Sequence, residues 1–158
     1  MNLIPLEPIG ISPAADPSRP VVLFREMKGE RILPVWVSHL DAHLALIQNQ
    51  PRPGSLSPHE FTKELLTQLN MQLEACVFEK IRGHHQYVRL HFKGSRKLKE
   101  MNSRADHVIS LCLHTGCSFF TTEEVLRKSQ NVETEMTNTA LAMKTAPHAF
   151  KNDHRYLQ

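Results

Sequence analysis

The chain has 158 residues, 41% hydrophobic and 22% charged, the balance of a globular protein long enough to bury one sizeable core. A formal charge of +3 and ten histidines admit an anionic partner without demanding one. No apolar run approaches the ~20 residues of a membrane span, and no basic-then-apolar leader opens the sequence, so a cytoplasmic protein without a membrane segment is expected. The three cysteines, Cys76, Cys112 and Cys117, lack metal-type spacing; reduced thiols are expected, two of them filling the core.

Leu3 to Ile11 alternates loosely and is broken by Pro5 and Pro8, which predicts an edge strand. Pro13 to Pro20 is a turn-rich link, Val21 to Phe24 a buried strand, and Lys28-Gly29-Glu30 a turn into a returning strand, Arg31 to Val37. Ser38 with Asp41 has capping-box spacing, and Leu40, Leu44 and Ile47 give the following helix its buried stripe. His39 and His43 lie four apart on that helix, a spacing that two ligands of one metal can share but that solvated histidines explain more simply. A rigid loop, Gln50 to Ser57, leads to Ser57-Pro58-His59-Glu60: a cap, a proline at the first helical position and an acid three after the cap. That helix carries Phe61, Leu65, Leu66 and Leu69 and ends near Asn70.

Met71 to Ile81 and Gln86 to Phe92 predict a hairpin around Arg82 to His85, with Val88, Leu90 and Phe92 on one face and Tyr87, Arg89 and His91 on the other. Arg89, Arg96, Lys97 and Lys99 make this region basic, which suits single-stranded nucleic acid but equally a solvated edge that resists aggregation. Ser103 and Asp106 repeat the capping-box spacing, so a strand is expected to end near Met101 and a helix to follow. On that helix Ala105, Val108, Ile109, Cys112 and Leu113 form a core face, His107, Ser110 and His114 fall opposite, and Gly116 stops it. Ser118 to Phe120 is a short strand, and Thr121 with Glu124 caps a last helix through Val125 and Leu126. Residues 1–130 thus form one domain; 131–158 read as an extension, partly helical around Val132, Met136, Ala140 and Met143, or mobile.

Three stretches resemble the bifunctional nuclease domain family. The family's Asp-x-Arg-Pro-Ser-Asp-Ala segment, which runs into an apolar helix, is matched by Asn102-Ser103-Arg104-Ala105-Asp106-His107, with the arginine kept and both aspartates replaced, by Asn102 and His107. Its Leu-Pro-Ile-Trp strand is matched by Leu33-Pro34-Val35-Trp36, with Asp41-Ala42 where the family has Glu-Ala. His59-Glu60-Phe61 is similar to the second half of an Arg-Pro-x-Thr-His-Asp-Leu segment. The resemblance spans about Leu3 to Ser129. It implies an α+β fold, a mixed and strongly bent sheet with about four helices packed on it, a homodimer, and hydrolysis of RNA and DNA.

Under that resemblance Arg104 would bind phosphate, His107 or His59 would move protons, and Asp106, Glu60 or Asp41 could hold a divalent cation through oxygen. No pair has a spacing that by itself establishes a metal site, and each acid also has a capping role that accounts for it. A catalytically inactive dimer of the same fold, binding nucleic acid or protein, is the alternative; a sensor of acidic metabolites at the Ser103 helix start is a third reading.

Overall fold

The computed structural model describes residues 2–12, 20–48, 57–130 and 148–149. Seven strands lie in the order β3-β2-β1-β7-β4-β5-β6, where β1 is Ile4–Ser12, β2 Val21–Glu26, β3 Ile32–Trp36, β4 Gln72–Arg82, β5 His85–Lys93, β6 Glu100–Arg104 and β7 Ser118–Thr121. Every pairing in that path is antiparallel except β4 with β7, so the sheet is mixed. Four helices join it: α1 (His39–Gln48), α2 (Pro58–Gln68), α3 (Ala105–Thr115) and α4, at 123–130. The fold is the expected α+β class. The Pro13 to Pro20 link, apart from Pro20 itself, and the loop before Ser57 lie outside the described residues, as does most of 131–158; His148–Ala149 form β8, which pairs with Gly10 and Ile11.

The first strand is not an edge. β1 sits between β2 on one side and β7 with β8 on the other, and Pro8 is absorbed because a bulge between Pro8 and Gly10 interrupts the ladder where a donor is missing. The true edges are β3, which carries Pro34, and β6. Gln86 of β5 seals part of the first: its amide donates to the Pro34 carbonyl at 2.7 Å and its oxygen accepts from the Trp36 amide at 3.2 Å. Four strands separate β3 from β5 in the order, so this buried side chain can bridge them only because the sheet is strongly bent.

Alternation in the hairpin strands puts Cys76 opposite Leu90 and Phe78 opposite Val88, all fully buried. Phe24 meets Phe78 edge-on at 5.4 Å and Phe119 at 4.9 Å, joining β2, β4 and β7 through one aromatic cluster. Each such pair contributes about 0.5–1.5 kcal/mol beyond its burial. α3 packs on β3, β4, β5 and β6 through Ala105, Val108, Ile109, Cys112 and Leu113, the predicted core face. Gly116 ends it at φ 66°, with the amides of Gly116 and Cys117 bonded back to Leu113 and Cys112. That turn seats Cys117 against Cys112, and all three cysteines are buried, one more than expected. The Cys112 neighbour and burial push the Cys117 thiol far up, so it is an inert core group.

Three local expectations change. β6 runs on to Arg104, and Ser103 does not cap α3; its hydroxyl turns to the Arg104 carbonyl while Arg104 takes the N-cap position. The last helix is capped by Thr122, whose Oγ1 accepts from the Val125 amide, because Thr121 is the buried end of β7 and bonds to Phe78. On α1 the buried residues are Asp41, Ala42 and Ala45, while Leu40 is 68% exposed; the Ile47 side chain lies outside the described residues. Close packing of α1 on α3 admits only small side chains, so the two alanines, not the leucine, face inward.

Candidate functional site

Three helices converge on one hydroxyl. Ser110 is wholly buried on α3, not on its outer side, and donates its hydroxyl hydrogen to Asp41 Oδ1 of α1 while its amide donates to Oδ2 at 3.3 Å. From α2, His59 Nε2 stands 2.7 Å from the same Ser110 oxygen. One turn further along α3, His114 Nε2 stands 2.7 Å from Glu60 Oε2, and the His59 and His114 rings are 6.1 Å apart. Residues 51 and 69 positions from Ser110 in the chain thus share its side chain.

The local sequence explains the placement. Ser38 Oγ accepts from the Asp41 amide at 3.0 Å, fixing the first turn of α1 so that Asp41 points to α3. Ser57 Oγ accepts from the Glu60 amide at 3.1 Å with Pro58 at the first helical position, which sets His59 and Glu60 over α3. In both helices the serine half of the capping box forms, while the acid reaches across to another helix. Burial pushes the Asp41 carboxyl up, the Ser110 hydroxyl and amide oppose it, and Asp106 adds to the upward push while His107 counters it. Burial, then the His114 charge, holds His59 below the ordinary histidine range.

The other expected residues occupy the start of α3. Arg104 forms a two-pronged ion pair with Asp106, Nε to Oδ1 at 2.9 Å and Nη2 to Oδ2 at 2.5 Å, and His107 beside it is exposed. All six proposed catalytic residues, Asp41, His59, Glu60, Arg104, Asp106 and His107, therefore lie on or against one helix. The oxygen ligands are dispersed, Asp41 to Ser110, Glu60 to His114 and Asp106 to Arg104, and among the described residues no three His, Cys, Asp or Glu side chains stand as a metal-binding group. His39 and His43 are exposed on α1 and form no such group. Among the described residues these donors do not gather round one divalent ion.

On the basic hairpin, Arg89 is drawn into ion pairs with Glu79 and Glu100. Arg96, Lys97 and Lys99 are exposed in a turn that the Ser95 hydroxyl holds through the Lys97 and Leu98 amides. Ser110 and His114 were missed from the sequence. The available signal was a lone hydroxyl within the apolar run Val108 to Leu113, where a serine is buried with its neighbours.

A bent mixed sheet with a long helix laid on it, and an acid–serine–histidine chain across three helices, define an α+β domain with one polar face on α3. The model of the bifunctional nuclease domain matches residues 22–134, most of the chain, and the protein belongs to that family. It is also similar to uncharacterized proteins of Mycobacterium tuberculosis strains CDC 1551 and H37Rv, 26% identical over 122 residues that cover 77% of this chain and 73% of each relative. No helix among the described residues is long and apolar enough to cross a membrane.

Proposed function

We propose that this protein cleaves phosphodiester bonds of RNA or single-stranded DNA along the exposed side of α3, in the cytoplasm and as a homodimer. The observation that carries the reading is the convergence of Asp41, Ser110 and His59 from three helices, with His114 and Glu60 alongside. Buried polar chains of this kind cost stability unless fully bonded, and they cluster where proton transfer is needed. Family membership supports a nucleic-acid substrate. Arg104 and the turn bearing Arg96, Lys97 and Lys99 supply positive charge for flanking phosphates. Phe61 and Leu65 of α2 and Leu69 at its C-cap leave an apolar stripe, exposed by 69%, 48% and 58%, and α2 buries no residue of its own; a second copy of this chain is the proposed cover.

The second reading, a binding module without turnover, draws on the engagement of every acid of the site with a partner inside the domain. A gel assay with purified protein on RNA and single-stranded DNA, with several divalent ions and with EDTA, separates the two. Cleavage lost in Arg104→Ala supports the enzyme; salt-sensitive binding without cleavage supports the module.

A further inference from the structure

We infer that Tyr87, on the open face of the β4-β5-β6 sheet, is the seat on which one unpaired nucleobase stacks, with Lys80 neutralising the phosphate beside it. This rests on the nucleic-acid reading above and deepens it: the ring selects single strands and does not distinguish ribose from deoxyribose.

The register builds the seat. Val88 and Leu90 turn into the core, so Tyr87, next to Val88 in the strand, points to the opposite face. Across the ladder Lys80 of β4 and Arg104 of β6 stand opposite it, so a cation lies on each neighbouring strand, ~4.8 Å to either side. A bulge in β4 decides which residue stands there. Counting on from the pair of Phe78 and Val88, Glu79 would oppose Tyr87 in a regular ladder; the extra residue puts Lys80 there instead, and Glu79 turns to Arg89, 2.9 Å away. An acid that would repel a phosphate is thus replaced by a lysine beside the ring.

The chemistry is that of a platform for a base. Lys80 is exposed, holds its Nζ 5.8 Å from the centre of the Tyr87 ring and joins none of the ion pairs among the described residues. That distance is near the ~6 Å outer limit of a cation–π contact, so an exposed lysine gives the contact up readily for a phosphate. Arg82, two residues on and therefore on the same face, is exposed as well. Arg89 is held by Glu79 and Glu100 and adds little, so stacking rather than charge has to supply most of the hold. A base inside a duplex is covered on both faces by its neighbours, whereas an unpaired one offers a π face whatever its sequence or sugar. Arg104, opposite Tyr87, also caps α3, so a strand seated on the ring runs on to the helix along which cleavage is proposed.

The test is binding of the full chain, in EDTA, to fluorescent oligonucleotides of one length: single-stranded RNA, single-stranded DNA, duplex DNA and a DNA strand with abasic central residues. In the parent, the base-bearing single strands should bind more tightly than the duplex and the abasic strand. Tyr87→Ala should weaken the single-stranded RNA and DNA by the same factor, about 5–150-fold, the worth of one stacked base. It should leave the abasic strand and the slope of log affinity against log salt unchanged. Tyr87→Phe, which keeps the ring, should bind as the parent does, and Lys80→Ala should flatten the salt slope by ~0.7. Circular dichroism checks that each variant folds, and the abasic comparison needs only the parent. An abasic strand or a duplex bound as tightly as the base-bearing single strand, a folded Tyr87→Ala that binds as the parent does, or a folded Tyr87→Phe as weak as Tyr87→Ala would overturn the seat and leave the nucleic-acid reading standing. No binding and no cleavage of any strand would remove both.

Discussion

At the scale of single residues, the chain from Asp41 through Ser110 to His59 makes opposite demands on protons. The folded state holds His59 below its ordinary value, so between that lowered value and about pH 6.5 the unfolded chain binds more protons. Stability from this group is full above pH 6.5 and is lost as the solution is acidified. Asp41 is raised by burial, so there the folded state binds more protons and stability falls as pH rises through the raised value. Urea midpoints from about pH 3.5 to 7.5 separate the two: His59→Gln should remove the loss that sets in on acidification below about pH 6.5, and Asp41→Asn the decline that begins as pH rises above about 3.9. Equal slopes in parent and His59→Gln would show that burial of the ring is not felt by the fold. Little of this pairing was legible in the sequence. Asp41 and His59 could be named as candidates, but the residue that joins them is a serine, and helical spacing alone placed it on the outer side because the width of the buried face depends on what packs against it.

At the scale of elements, the helix starts were the most readable feature, since serine caps act through neighbouring amides and need no tertiary knowledge. The acids three residues on were readable only as cap partners, whereas Asp41, Glu60, Asp106 and Glu124 bond instead to Ser110, His114, Arg104 and Lys128. Burial of leucines was the least readable. Leu40 on α1, expected in the buried stripe, is 68% exposed, whereas Leu33 on β3 is fully buried. Leu33→Ala is expected to cost about 2–5 kcal/mol of unfolding free energy and Leu40→Ala less than about 0.5 kcal/mol, by denaturant titration. Comparable costs would mean that α1 sits deeper than its exposure indicates.

At the scale of the whole molecule, positive charge is unevenly available. Arg89 is held by two glutamates, while Arg96, Lys97 and Lys99 stand exposed. If single-stranded nucleic acid binds here, changing those three to alanine should flatten the slope of log affinity against log salt by up to about 2, at ~0.7 for each phosphate no longer neutralised. Arg89→Ala should leave that slope nearly unchanged. A titration in which Arg89→Ala has the larger effect would move the binding surface to the hairpin face. The α+β class and the hairpin were legible because alternation and turn chemistry are local; the sheet order was not, because β7 pairs with strands far away in the chain.

That four-residue strand has a consequence for how the protein is made. Ser118–Thr121 is inserted between β1 and β4, and no other strand pairing in the described path joins the β1-β2-β3 half to the β4-β5-β6 half. A ribosome that has delivered the first hundred residues has therefore released two separate sheets, each with an open flank whose natural filler does not yet exist. Those flanks are where a stalled or truncated nascent chain should pair with its neighbours, and the interval before residue 121 emerges is when a chaperone should matter most.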